Sequence, residues 1–182
     1  MTDPDRERRF TALYDTYHPR VYAYVVSRAG REIADEVTSE TFLVAWRRFA
    51  DVPKSELAWL LGVARNILRE QYRADLRRKA IDTELRVWSG ELWTGDVAEH
   101  VAERSQVLAA LAALSDDDRE ILTLVAWHGL APREAARVVG CSTATYSVRL
   151  HRARRRLERA MSAPPAPATR SAVLTLGKES TR

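Results

Sequence analysis

Arg149, Arg152, Arg154, Arg155, Arg156 and Arg159 fall within eleven residues, with Glu158 the lone acid among them. Guanidinium groups fork onto phosphate oxygens, and a row of them displaces counterions from a polyanion, so the chemistry implied is binding to a nucleic-acid backbone. Just ahead, Thr143, Ala144, Ser147, Val148, His151 and Arg152 share the outer side of a helical phase whose inner side is Tyr146, Leu150, Ala153 and Leu157. Short side chains followed by an arginine can address base edges, and Arg152 is the candidate for bidentate contact with guanine. Catalytic chemistry has no such grouping. His18, His100, His128 and His151 are scattered, no Ser/His/Asp or Cys/His order recurs, and no glycine-rich phosphate loop is present. Cys141 stands alone, which excludes an intrachain disulfide and a multi-cysteine metal site and suits a buried structural thiol. The expectation is a non-enzymatic chain with no catalytic residues, cofactor or metal.

The elements that must position these side chains are helices. Residues 132 to 151, PREAARVVGCSTATYSVRLH, have the form of a helix-turn-helix: Pro132 at a first helical position, small Ala136 at the crossing, Gly140 at the turn and Ser142 capping the second helix. Ala135, Val139 and Cys141 face Tyr146 and Leu150 across it. In such a motif the second helix enters a major groove, with early outward residues near base edges and arginines on the backbone. The helix before it opens at Ser115, whose hydroxyl can accept backbone N–H groups, with Asp116, Asp117 and Asp118 complementing the dipole; it carries Ile121, Leu122 and Val125 inward and stops at Gly129.

Upstream, Phe10, Leu13, Tyr14 and Tyr17, continued by Val21, Tyr24 and Val25, make one buried stripe, and Pro19 marks a new or kinked helix. Further helices are expected from about Glu32 to Phe49 and from about Ser55 to Lys79, the latter with Leu57, Leu60, Ala64, Ile67 and Leu68 inward. The fold class is therefore all-α, in two small helical domains. Their expected limits are 1–80 and 105–161, joined by an acidic linker over 81–104 and followed by a disordered, proline-bearing tail over 162–182. Trp88 and Trp93 are unusual in such a linker. A 46% hydrophobic composition supplies cores, and a net charge of +4 permits a polyanionic partner without demanding one. No run approaches the roughly 18 apolar residues of a membrane span, and a cytoplasmic location is expected.

Two stretches together resemble the extracytoplasmic-function (ECF) sigma factors of bacterial RNA polymerase. LAALSDDDREILTLVAWHGLAPREAARVVGCSTATYSVRLHRARRRL is similar to their promoter-recognition region four. DEVTSETFLVAWRRF and AWLLGVARNILREQYRADLRRKA are similar to region two, in the family's order and spacing, so that the likeness spans most of residues 8 to 159. The resemblance implies that Asp35, Glu36, Ser39, Glu40 and Phe42 dock on the polymerase clamp helices, with Ser39 standing where a glutamine is usual. It also implies that Asn66 lies near an extruded base of the minus-10 element, that the loop Ala50 to Glu56 shapes its pocket, and that Arg69, Arg73, Arg77 and Arg78 hold promoter phosphates. In region four it implies minus-35 contacts for Thr143, Ser147, Val148, His151 and Arg152, and a phosphate contact for Arg149. Ser147 and Val148 depart from the family's common Lys-Ser or Arg-Ser, so this chain's promoter sequence is its own. The partners so implied are core RNA polymerase, at its clamp helices and flap, promoter DNA, and in some relatives an anti-sigma factor. The alternative from the motif alone is an autonomous helix-turn-helix regulator that binds duplex DNA as a dimer with paired half-sites.

Overall fold

The computed structural model describes residues 4–79 and 101–162. Seven α-helices make up the described residues: α1 (Pro4–Ala29), α2 (Ala34–Arg47), α3 (Glu56–Lys79), α4 (Val101–Ala112), α5 (Asp116–Ala126), α6 (Pro132–Val139) and α7 (Thr143–Ser162), with one 3-10 turn at Phe49–Asp51 and no strand among them. Helices α1, α2 and α3 pack on one another, as do α4 to α7, and α3 also packs against α6. The all-α expectation therefore holds.

Local signals in the second group act where the sequence places them. Ser115 adopts extended backbone and its Oγ accepts the Asp118 N–H at 3.2 Å, an N-cap worth about 1 kcal/mol. Pro132 occupies the first turn of α6, where its missing N–H costs nothing, and Glu134 reaches back to accept the Ala131 N–H at 3.0 Å. Gly140 ends that helix at φ +73°, a left-handed conformation disfavoured for any residue with a Cβ. Ser142 then accepts the Thr145 N–H at 3.1 Å and starts α7. Tyr146 is wholly buried, and its hydroxyl donates to the Ile121 carbonyl at 2.7 Å, fixing α7 against α5. Burial raises the Tyr146 pKa, so the ring keeps its proton and its donor.

Three expectations need correction. Pro19 begins no new helix: α1 runs unbroken from Pro4 to Ala29 with Pro19 inside it and exposed. Buried Leu13 on one side and Val21, Tyr24 and Val25 on the other anchor both halves to the same core, and this packing overrides the local penalty. Helix α4 starts at Val101, inside the stretch read as linker. The α5 helix closes at Ala126; Gly129 takes its positive φ three residues later, in the turn before α6. The rest of the acidic stretch, including Trp88 and Trp93, and the tail from residue 163 lie outside the described residues.

Helical periodicity also places the cores. In α3, Leu57, Leu60, Ala64 and Ile67 are buried as their spacing requires, and Leu61 joins them. The buried apolar side chains form one continuous cluster from Leu13 in α1 to Ala153 in α7. The two groups of helices therefore share a core.

Candidate nucleic-acid interface

Helix α7 divides cleanly. Tyr146, Leu150 and Ala153 are buried, while Thr143, Ser147, Val148, His151 and Arg152 are all exposed. Arg154 and Arg155 extend the exposed side by a further turn. The arginines fall into two sets. Arg149 lies 3.2 Å from Asp117, and Arg156 Nη1 lies 2.9 and 2.7 Å from the two oxygens of Asp118, so the first turn of α5 holds both guanidinium groups from behind. The Arg149 pair is solvent-exposed and contributes less than about 1 kcal/mol, which leaves Arg149 open to exchange its carboxylate for a phosphate. Arg152, Arg154 and Arg155 have no ion-pair partner among the described residues. The sequence credited the three aspartates with complementing the helix dipole; they also orient these two arginines, a role visible only in three dimensions.

A second face lies on α3. Asn66, Arg69 and Arg73 are exposed at positions i, i+3 and i+7, one side of the helix, with Glu70 among them. Arg77 and Arg78 belong to the same helix, but their side chains lie outside the described residues. Tyr72, which sequence reasoning passed over, is 65% exposed at the edge of this face, one turn beyond Arg69. An aromatic ring beside arginines on an open helix face is the arrangement that stacks unpaired bases. The missed signal was the phase of Tyr72, which puts it away from the stripe of Ala64 and Ile67. The segment Ala50 to Glu56 starts within the 3-10 turn and ends at the first residue of α3.

The third face is acidic. Asp35, Glu36, Ser39 and Glu40 are exposed along one side of α2, and the acids make no ion pair with any described residue. Phe42 is not on this face. It is 3% exposed, with ring centroids 4.7 Å from Tyr14 and 5.8 Å from His18, so it holds α2 to α1 and cannot present its ring to another protein. The apolar side chain in phase with Glu36 and Glu40 is Leu43, 46% exposed. Acids flanking an exposed leucine make a small apolar contact with a charged rim. Trp46 turns inward, edge-on to Phe10 at 5.0 Å, with Arg6 over its ring.

The described residues contain no cluster of histidine, cysteine, aspartate and glutamate able to hold a metal ion. No helix among them is long and apolar enough to cross a membrane.

Comparison with known proteins accords with the two groups of helices. Residues 13–78 match the family model described as Sigma-70 region 2, and residues 104–157 match Sigma-70, region 4. The ECF RNA polymerase sigma factor EcfG of Rhodopseudomonas palustris is 32% identical over 160 residues, covering 86% of this chain and 84% of that protein. This chain belongs to the ECF sigma factor family. SigM of Bacillus subtilis, another ECF sigma factor, is 30% identical over 151 residues, covering 80% of this chain and 91% of that one. BldN of Streptomyces coelicolor is 33% identical over 162 residues, which is 82% of this chain but 59% of BldN. Among solved structures, the sigma factor RpoE in complex with the anti-sigma factor NepR from Bartonella quintana has the same fold. Its TM-score is 0.72 at 23% identity, covering 86% of this chain and 98% of that one. CnrH, solved with the cytosolic domain of CnrY, matches with a TM-score of 0.58 at 24% identity, covering 86% and 89% of the two chains. Sigma factors are non-enzymatic transcription initiation factors. The autonomous-regulator alternative is not favoured, because regions 2 and 4 occur together in one ECF sigma factor.

Proposed function

We propose that this sigma factor binds core RNA polymerase through the acidic face of α2, with Asp35, Glu36, Ser39 and Glu40 around Leu43, and recognises promoter DNA through α3 and α7. In this reading residues 1–80 serve core and minus-10 binding, residues 105–161 serve minus-35 binding, and the chain works in the cytoplasm without catalysing a reaction of its own. The outer face of α7 meets the minus-35 element: Arg152 reads a guanine, Thr143, Ser147, Val148 and His151 set the remaining preference, and Arg149, Arg154 and Arg155 hold phosphates. On α3, Asn66 meets an extruded base of the minus-10 element, Tyr72 stacks an unpaired base, and Arg69, Arg73, Arg77 and Arg78 follow the backbone. An anti-sigma protein, the kind of partner held by RpoE of Bartonella quintana in its solved complex, is part of the proposal.

The observation that carries the reading is the division of α7 into a buried seam and an exposed row of base-directed and phosphate-directed side chains on a capped helix-turn-helix. Its test is run-off transcription with purified core polymerase on a library of promoter variants. The Arg152→Ala protein is expected to lose about 1–3 kcal/mol of discrimination at one minus-35 position while keeping core affinity. Unchanged discrimination would mean that α7 lies differently in the groove.

A further inference from the structure

The first turns of α1 lie against the last turn of α2, and the contact is made by arginines on aromatic rings. The Arg6 guanidinium carbon stands 4.6 Å from the centroid of the Trp46 ring, and its Nη2 donates to the Trp46 carbonyl at 2.5 Å. One turn on, the Arg9 guanidinium stands 5.4 Å from the centroid of Phe49, the residue that opens the 3-10 turn. Phe10, edge-on to Trp46 at 5.0 Å and to Phe49 at 5.9 Å, ties both rings to α1. Arg48 lies between Trp46 and Phe49 in the chain, at the cap of α2. Arg9 and Arg48 are exposed and Arg6 is half-buried.

Little within the patch neutralises these charges. Arg48 Nε is 3.2 Å from Asp51, but both side chains are 61% exposed, so the pair is screened by water and exchanges readily for another anion. Asp5 is paired with Arg8, and Glu7 lies roughly 160° round α1 from Arg9 at 3.6 residues per turn. Arg9 makes no ion pair with any described residue. Packing alone asks only for apolar cover on Trp46 and Phe49. A guanidinium held on a ring adds a fixed plane whose remaining N–H groups face solvent, with part of its conformational freedom already lost. Planes of this kind stack bases while their edges bind phosphates, the combination that suits unpaired nucleic acid. Position also favours a single strand. Phe49 starts the segment that leads into α3, and Glu56, where α3 begins, is about 15 Å along the helix axis from Asn66 at 1.5 Å per residue. A strand with a base extruded at Asn66 has Arg69 and Arg73 toward one end of α3 and this patch toward the other, a few nucleotides away.

We propose that Arg6, Arg9 and Arg48, backed by Trp46 and Phe49, form a further site for single-stranded DNA, which holds the unpaired promoter strand where it continues from the minus-10 element away from minus-35. The site deepens the sigma reading and rests on it. The test measures, by fluorescence anisotropy, binding of holoenzyme formed from core polymerase and the full-length chain to two labelled probes built on a promoter found by run-off transcription. Both carry duplex through minus-35 and an unpaired minus-10 strand; one strand ends there and the other continues into a short run of unpaired thymidines. For wild type the extension should raise affinity on the order of a hundredfold and steepen the dependence of log affinity on log salt by about 0.7 for each phosphate held. Arg9→Gln and Arg48→Gln should each remove about fivefold of that gain and about 0.7 of the slope, with binding of the short probe unchanged. Arg9→Lys should keep the slope and lose part of the affinity, since it retains the charge without the plane. Arg31→Gln, the same loss of charge in the turn before α2, should behave as wild type on both probes. Equal wild-type affinity for the two probes, or a loss in Arg9→Gln no larger on the extended probe than on the short one, would overturn the site while leaving the sigma reading intact. An equal loss in Arg31→Gln would assign the effect to net charge and overturn the site as well. Failure to find any promoter by run-off would overturn the sigma reading, and the site with it.

Discussion

Two groups of carboxylates in this chain have opposite fates. Asp35, Glu36 and Glu40 on α2 are exposed and make no ion pair within the described residues, whereas Glu120 on α5 is enclosed by Tyr24, Arg65 and Arg28. The difference lies in which partner supplies the compensating charge. A buried carboxylate is committed to an internal cation, since losing that cation leaves a desolvated charge; an exposed one costs nothing to keep and is available to an external cation. Acidity in this protein thus has two uses, one toward itself and, in the function proposed above, one toward polymerase.

Substitution of the buried member is expected to give the largest effect. Glu120→Ala should destabilise the packing of α5 against α1 and α3 by about 3–5 kcal/mol, seen in calorimetry as one shared unfolding transition dividing into two. If the single transition persisted at its original temperature, the distinction between the two groups of acids would fail. Reversing the exposed acids should act on binding instead. The pair Glu36→Lys and Glu40→Lys should lower affinity for core polymerase by about a hundredfold, through like charges facing a basic partner, with the melting temperature unmoved. Fluorescence anisotropy of the labelled chain against core polymerase, beside a melting curve, separates these outcomes.

Acid sharpens the comparison further. His128 is 7% exposed and edge-on to Tyr24 at 5.7 Å, and burial, assisted by the charge of Arg20, lowers its pKa from 6.5 to about 4. Arg20 and Tyr24 face it from α1; Lys54 and Glu56, before and at the start of α3, and Glu134 of α6 line the adjoining cleft. Because the folded state binds the proton more weakly than the unfolded one, its stability is fully present above pH 6.5 and falls as pH drops from 6.5 toward 4. The loss should be on the order of 1–3 kcal/mol by urea denaturation across that pH range, and His128→Gln should flatten that part of the profile. Glu120 adds to the loss in the same direction below its ordinary carboxylate range. The smallest expected effect belongs to the helix-turn-helix alone: Ser142→Ala should cost about 1 kcal/mol in urea denaturation, through the lost cap on Thr145.

What the sequence made readable follows the range of the interactions. Ser115, Pro132, Gly140 and Ser142 act on backbone within a few residues, so the helix-turn-helix could be placed from its letters, and the exposed row of α7 followed from the phase of Tyr146, Leu150 and Ala153. Phe42 was misjudged because its neighbours in sequence are the acids, although phase alone separates it from Glu36 and Glu40 and selects Leu43. Pro19 was read by its local penalty, which the shared core overrides. The burial of Glu120 was beyond sequence reasoning, since its partners lie 96 and 55 residues away and a glutamate in a helix is ordinarily assigned to the surface.

The hydroxyl of Tyr146 on the Ile121 carbonyl has a consequence for how such a protein can change over generations. That bond, with Leu150 and Ala153 beside it, sets the pose of α7 entirely from its inner side, while Thr143, Ser147, Val148, His151 and Arg152 contribute nothing to the core. Mutations in the outer row are therefore nearly free of folding cost, and a duplicated copy could drift toward a new set of promoters one letter at a time while its chassis stayed intact.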